Sequence, residues 1–531
     1  MLVDSIRRQP HPGSRRSTRA VVFVAAVVVS FVTAAAAPVA ASAAARVAVI
    51  VVPVFDPHEY AGRGAVGLVV PGAGPRVSRE RALASLVRGR VVSSLVDLDG
   101  NVALRLSDRP AETTIFVALP PDGEHDNTSR YPVAVVGPGY DGLLTSRSTR
   151  IDGLVSLADI APTAAAIAAG SPPVIRSRPD AQAAATLARL DLDLTQARDA
   201  RKGATLALIA WLVAFSSLGV LAGSALAGRA AILVPPVTIA TAILLRALGV
   251  DEPPTVITLL ALAAGAAPLL LAIRARVLVP AIVGLLATFL LVLVAWPEVN
   301  ALAVIGPHPD GGGRFFGVTN AVETLVLVPA LAAASLVGLV GALSIAVLLL
   351  VTVGSSRAGA DGGGVLVVLA AFAVLLAGRA RVRLTPLHVV VGLLIVVALG
   401  LVVVGFDALL GGSSHVTEAL GGGPAGLIDD LERRARISYA DATTSGKTLL
   451  FCAFGLGGLG WLGWRGRRSP VVVAMLVAVG VSVVVNDTPV DVLGYGALGC
   501  LALTAWVETA AVGEVWPAAA RSPHRDAAAE R

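Results

Sequence analysis

Arg314, Asn320 and Glu323 stand within ten residues of one another, where a Gly-rich polar loop runs into an apolar segment. The stretch Gly306–Glu323 reads GPHPDGGGRFFGVTNAVE. A carboxylate in a segment otherwise made of Val, Leu and Ala is costly in a bilayer, and such residues face a bundle interior or a wet cavity. Asn320 and Glu323 are three positions apart and share one helix face. The chemistry open to this trio is a polar pocket that holds an anionic or glycan group, with Glu323 as proton carrier or ligand. The competing role is a buried ion pair with hydrogen bonds that hold helices together.

Three further polar islands interrupt apolar sequence. Arg357–Gly364 (RAGADGGG) carries Asp361 into a helix start. A Gly-rich loop in that position presents backbone N–H groups to an anion, or else its glycines permit a tight re-entry. Ser413, Ser414 and His415, with Glu418, have the residue types of a nucleophile and its base. No positioned third residue accompanies them, so a pocket-lining role is assigned to His415. Asn486 and Asp487, with Asp491 beyond Pro489, form a helix end with two carboxylates at membrane depth, suited to a pocket wall or a proton relay. The pocket candidates are therefore Arg314, Asn320, Glu323, Asp361, His415, Asn486 and Asp487. No catalytic residue, metal or cofactor is assigned. The groupings Asp56/His58/Glu59 and Glu124/His125/Asp126 match no standard metal spacing and read as solvated loops. Both cysteines, Cys452 and Cys500, lie in apolar segments, so the hydrophilic region has neither a disulfide framework nor a cysteine-ligated zinc.

The elements that must position these islands follow from composition. Of 531 residues, 55% are hydrophobic and 15% charged, which excludes a purely soluble chain. The formal charge of +6 comes without a basic stripe interleaved with aromatics, so nucleic acid is not an expected partner. Residues 1–45 read as an export signal or N-terminal anchor: Arg7, Arg8, Arg15, Arg16 and Arg19 precede the apolar run Val21–Ala37 and the small residues Ala41–Ala44. Residues 46–202 form an extracytoplasmic domain in which β-rich runs (Val47–Val54, Gly67–Val70, Thr113–Leu119, Pro132–Val136) alternate with helices (Ser78–Val87, Ala181–Ala200), an α/β layer pattern. Residues 203–511 form an all-α membrane bundle of about eleven helices, with apolar segments at 203–226, 230–248, 255–273, 277–296, 317–338, 340–354, 363–378, 386–405, 447–464, 470–485 and 489–511. Spans need about 20 apolar residues, and several of these sit near the lower limit. Residues 512–531 are a cytoplasmic tail.

Arginines orient the bundle. With Lys202 outside, Arg229, Arg274/Arg276, Arg379/Arg381/Arg383, Arg465/Arg467/Arg468 and Arg521/Arg525 all fall inside, as the positive-inside rule requires. Arg201/Lys202 and Arg433/Arg434/Arg436 are exceptions, the latter in a long loop. Asp429–Arg436 reads as an amphipathic helix on the outer surface. In this arrangement Asp251–Pro254 and every polar island lie on the outer face.

Two resemblances accompany these readings. Gly153–Gly170, GLVSLADIAPTAAAIAAG, resembles the late strand-and-helix signature of the alkaline phosphatase/sulfatase superfamily. Asp159 would cap that helix and Pro162 would sit in its first turn. Catalytic members carry a metal-binding Asp directly after the first strand. Here Val47–Val52 runs into Pro53, with no nucleophile in matching context, which implies a shortened, catalytically silent relative. The motifs GRFFGVTN, GADGGG, the Ser-His loop and the Asn-Asp helix end look like a family of bacterial, especially actinobacterial, polytopic membrane proteins. These carry an exported alkaline-phosphatase-like domain ahead of a helical bundle. The chain keeps Gly313, Arg314, Phe315, Gly317, Asn320, Asn486 and Asp487 of that pattern. It departs with Phe316 where Tyr is usual and with Thr488-Pro489 where Ser-Gly is common. The resemblance implies architecture and no particular activity. The expected function is that of a multi-pass plasma-membrane protein of the cell envelope, transporter- or flippase-like, with membrane lipids and a lipid-linked or anionic precursor as partners. The alternatives are an outer-face glycan or phosphoryl-group transferase or ligase, or an envelope scaffold that recruits other proteins.

Overall fold

Runs of Val, Ile and Thr are stiff at χ1 and favour strands. Four such runs become strands in the computed structural model, which describes residues 47–89, 104–382, 385–409, 446–466, 469–486 and 488–510, with a few isolated positions between 432 and 443. These four are β1 (Val47–Val52), β2 (Ala65–Val70), β4 (Thr113–Ala118) and β6 (Tyr131–Val136). Five shorter strands join them: β3 (Arg76–Ser78), β5 (Glu124–Asp126), β7 (Gly142–Ser146), β8 (Leu154–Ser156) and β9 (Ile175–Arg178). The main sheet has the order β1-β4-β6-β2-β7-β9, with β8 also on β2, while β3 and β5 form a separate ribbon. Strands β1, β4, β2, β7 and β8 run one way and β6 and β9 the other. Strand β2 is buried along its whole length, as a central strand covered on both faces must be.

Helix α1 (Arg79–Arg88) starts where Ser78 accepts a hydrogen bond from the Arg81 N–H and stops at Gly89, which takes a left-handed conformation. Helix α2 (Ile160–Ala168) corrects one expectation. Asp159 precedes it but makes no side-chain cap to it. Asp159 instead closes a capping box with Ser156 and accepts hydrogen bonds from the Ser146 and Ser148 hydroxyls, tying β7 to β8. Hydroxyl donors from the neighbouring strand reach that carboxylate before the helix N–H groups do. Burial pushes its pKa up, a pull that the three hydrogen bonds only partly oppose.

The helical region begins with α3 (Ala183–Ala222), followed by α4 (Ala225–Ala247), α5 (Pro253–Ala272), α6 (Leu278–Ala295), the short α7 (Pro297–Ala301), α8 (Asn320–Leu336) and α9 (Leu339–Gly354). Then come α10 (Gly362–Arg379), α11 (Pro386–Leu409), α12 (Gly446–Gly466), α13 (Pro470–Val485) and α14 (Pro489–Ala510). Among the described residues seven helices are long and apolar enough to cross a membrane: α3, α4, α5, α6, α10, α11 and α14. Helices α8, α9 and α13 and the apolar stretch of α12 are shorter. The chain is thus a mixed α/β domain followed by a helical region with the character of a multi-pass membrane protein. The expected change of domain near residue 203 falls inside α3. The sequence turns from polar to apolar there, yet it contains no proline and only Gly203 and Gly219 within those forty residues, so the backbone ladder has no reason to break.

Contacts between helix ends sort the loops into two sets. At one end Arg379 donates to the Ala334 and Val337 carbonyls, and a side chain on Gly378 would strike Pro470. Arg229, Arg274 and Arg276 belong to this end. At the other end lie the α4–α5 turn, the α7–α8 loop, the α9–α10 loop and the start of α14, together with the α/β domain. One apolar core fills the bundle and a second one face of the sheet. A third is shared: Val66, Leu68 and Leu154 of the sheet and Leu187 and Leu190 of α3 pack with Ala301, Leu302 and Phe315.

Candidate functional site

The α/β domain meets the bundle through the C-terminal edge of its parallel strands, and glycine permits the approach. Gly312 has φ +66°, and a side chain there would lie 2.2 Å from the Gly72 carbonyl oxygen, in the turn after β2. Asn127 donates to the carbonyls of Gly72 at 2.9 Å, Gly74 at 3.0 Å and Gly311 at 3.3 Å, stitching the two loops together. Only a void of about 10 Å³, room for one water, remains between Val70, Gly72, Ser156, Leu157, Gly312 and Phe315. Open α/β sheets take ligands in the crevice beyond the carboxyl ends of their strands. Here the Gly306–Thr319 loop fills it.

Ion pairs secure this junction. Arg201 of α3 holds Asp310 in a two-pronged pair, at 2.7 and 3.2 Å, with the aspartate almost wholly buried. This accounts for one exception to the positive-inside pattern, because the charge of Arg201 is spent on a carboxylate. Burial alone would raise the Asp310 carboxyl, but Arg201, and His308 beside it, hold it below the usual carboxylate range. His308 keeps one side of its ring in solvent; the surrounding protein and the Arg201 charge press its pKa down from 6.5 to about 4. A second network is a closed ring. Arg246 donates to Asp193 and Asp251, both at 2.8 Å, and Arg189 reaches the same two carboxylates at 3.0 and 3.3 Å, tying α3 to both sides of the α4–α5 turn.

The site itself lies where α8, α10, α13 and α14 begin or end. Thr319 caps α8 by accepting from the Val322 N–H, which places Asn320 and Glu323 in the first turn. Asp361 caps α10 by accepting from the Gly364 N–H at 3.1 Å. The Gly-rich helix start is thus served by its own aspartate and is not left open to an anion. The glycines make room for neighbours. A side chain on Gly363 would lie 2.3 Å from Asn486 Oδ1, and one on Gly364 would lie 3.0 Å from the Glu323 carboxyl carbon and 3.2 Å from that of Asp361. Gly317, at φ +86°, passes so close to the Gly359 carbonyl that a Cβ there would lie 2.1 Å from its oxygen.

Five of the seven residues singled out from sequence therefore converge. Arg314 Nη1 is 3.8 Å from Asp361 Oδ2 and donates to the Val318 carbonyl. Asn486 donates to Ser482 at 2.8 Å and to Glu323 Oε2 at 3.4 Å. Asn320 donates to Thr488 at 2.7 Å, so Thr488 is in contact with the cluster. Glu323 is 0% exposed, Asp361 4% and Asn486 3%, whereas the Arg314 side chain is 30% exposed and forms the rim. Asp487, the Ser413–Glu418 group with His415, most of Asp429–Arg436, residues 1–45 and residues 512–531 lie outside the described residues.

Sequence reasoning missed Arg150. It sits at φ +54° in the turn after β7, donates to the Ser356 and Arg357 carbonyls, and stacks 3.8 Å above the Phe316 ring. One side chain of the α/β domain thus touches both polar loops of the bundle. Asp407 of α11 accepts from the Ser356 N–H at 3.0 Å and completes the ring of contacts. The Asp56 and Glu124 groupings have structural work. Asp56 caps a short helical turn over Pro57–Glu59, and Glu124 pairs with Arg81 at 2.9 Å.

An apolar groove of about 460 Å³ lies between α4 and α6, lined by Pro236, Ile239, Ile243, Phe289, Trp296 and Val326 among others. Val326, one helical turn from Glu323 on α8, is part of its lining. Comparison with protein-family models, with curated proteins and with solved structures finds no match for this chain.

Proposed function

We propose that this chain is a cell-envelope membrane protein that handles a lipid-linked or anionic precursor in the manner of a transporter or flippase. The carrying observation is the cluster of Glu323, Asp361 and Asn486, buried behind Arg314 and drawn from three sequence-distant segments to the bundle end that the α/β domain covers. In this reading Arg314, partly exposed at the rim, engages the anionic part of the precursor, and Asn320 and Asn486 supply neutral hydrogen bonds. The groove beside Val326 supports a lipid-borne cargo, since it is apolar, opens among membrane-length helices and has Trp296 at one end. The α/β domain, a silent relative of the alkaline phosphatase/sulfatase superfamily, serves as a docked platform. Its strand-end crevice is filled by the bundle's own loop, so it offers no open site for catalysis. The covered end faces out of the cell, in keeping with Arg229, Arg274, Arg276 and Arg379 at the opposite end.

The test is complementation joined to lipid analysis. A deletion strain is expected to accumulate a lipid-linked envelope intermediate, and R314A and E323Q, expressed at wild-type levels, are expected not to clear it. Full rescue by both variants would sink the proposal. Purified protein that covalently alters the accumulated lipid, rather than moving it unchanged across liposomes, would replace transport with transfer chemistry.

A further inference from the structure

We infer that the Glu323–Asp361 pair is a binding site for one monovalent cation, Na⁺ or a proton, at the meeting of α8 and α10. Charge counting leads there. Two carboxylates, 0% and 4% exposed, face one guanidinium, which stands 3.8 Å from Asp361. Among the described residues, the charged groups acting on Glu323 are Asp361 and Arg314. From the other packed elements, Arg357 at the head of the α9–α10 loop and Asp491 in the first turn of α14 are exposed, and Asp407 is turned to the Ser356 N–H. Among the described residues the cluster is left with one uncompensated negative charge, shielded from solvent. An isolated buried carboxylate is too costly to persist there, so a positive charge must join it.

The second observation is how each carboxylate is held. Glu323 Oε2 accepts from Asn486 and Asp361 Oδ1 from the Gly364 N–H, whereas Glu323 Oε1 and Asp361 Oδ2 are buried with no hydrogen-bond partner. Each group is anchored by one oxygen and offers the other. Both carboxyl carbons border the space that a Gly364 side chain would occupy, and Asn486 Oδ1 borders that of Gly363. The two glycines thus let two carboxylates and a neutral amide, with Val353 beside them, close in on the start of α10. A divalent ion would overcompensate a pair that lacks a single positive charge. Among the described residues no group of three or more His, Cys, Asp or Glu converges. One unit of positive charge is what balances the site.

The inference deepens the proposed function by naming the ion that would move against or with the precursor, but its test needs no precursor. Full-length protein in lipid nanodiscs is titrated with NaCl against choline chloride at constant ionic strength and at several pH values, reading melting temperature and ²²Na⁺ binding. If Na⁺ is the occupant, wild type binds ²²Na⁺ and its melting temperature rises with Na⁺. E323Q and D361N then weaken binding by roughly tenfold or more, since each removes one of two charges at contact distance. If a proton is the occupant, Na⁺ has no effect, and the melting temperature of wild type carries, beyond the acid decline that His308 and Asp310 give to both proteins, a pH-dependent component that E323Q abolishes. Wild type indifferent to both Na⁺ and pH, or E323Q indistinguishable from it in both, overturns the site. Should the variants fail to fold, hydrogen exchange of residues 361–366 in wild type decides: protection that changes with neither Na⁺ nor pH overturns it equally.

Discussion

Two charged regions lie on the same end of this bundle, and they are built on opposite principles. In the ring of Arg189, Asp193, Arg246 and Asp251, as in the Arg201–Asp310 pair, every carboxylate meets a guanidinium at hydrogen-bond distance. In the cluster around Glu323, two carboxylates share one guanidinium that stands too far away to hydrogen-bond either. The first arrangement is what a fold needs to hold a domain on a bundle. The second makes poor glue, because it leaves charge unspent where water cannot reach. A buried charge whose partners are complete argues for architecture, and one whose partners are incomplete argues for a ligand.

The comparison can be broken most forcefully at Arg201. R201M strips Asp310 of its partner and is expected to cost about 3–5 kcal/mol, the usual result of orphaning a buried charge. R201M/D310L should recover most of that, as followed by thermal unfolding of purified protein. At Glu323 the sign should differ. E323Q removes surplus negative charge without changing shape, so melting temperature is expected to hold or rise while complementation is lost. A fall as large as that of R201M would show the cluster to be glue after all.

Acid should act on the docking region next. The pKa of His308 falls from 6.5 to about 4 on folding, so between those values the unfolded chain binds a proton that the folded chain refuses. Stability is therefore complete above about pH 6.5 and declines as pH falls toward 4. The lowered Asp310 carboxyl extends the decline further into acid. Melting temperature measured across this range should drop, and H308N should flatten its upper part. The smallest effect is expected from E124Q, which removes an exposed pair with Arg81 and should cost about 0.2–1 kcal/mol, near the limit of detection.

Much of the cluster was legible in the sequence because polar residues inside apolar helices have few places to go. Glu323 interrupts a hydrophobic run, Arg314, Asn320, Asp361 and Asn486 stand in the polar stretches that border such runs, and the arginine pattern already put those stretches on one side. The central strands were legible for the same reason, being continuous β-branched runs. What was hidden depends on surfaces that meet only after folding. Arg150 lies in a turn of ordinary Ser, Thr and Arg residues, and nothing in that spelling points to Phe316 far along the chain. The glycines of Gly362–Gly364 read equally as an anion cradle or as a tight re-entry, and Gly311–Gly313 only as part of a polar loop. Their neighbours, the Gly72 carbonyl, the Asn486 amide and the two carboxyl groups, are set by tertiary packing alone. Strands β3, β5 and β8 are three residues each, too short for alternation to register. Helix α3 was divided in two because composition changes at Gly203 while the backbone does not.

That undivided helix has a mechanical meaning. Forty residues at 1.5 Å each make a strut about 60 Å long. Its first half is the floor of the α/β layer and its second half the first wall of the bundle. A hinge would have to be paid for by breaking consecutive backbone hydrogen bonds, so the outer layer cannot nod over the cluster like a hatch.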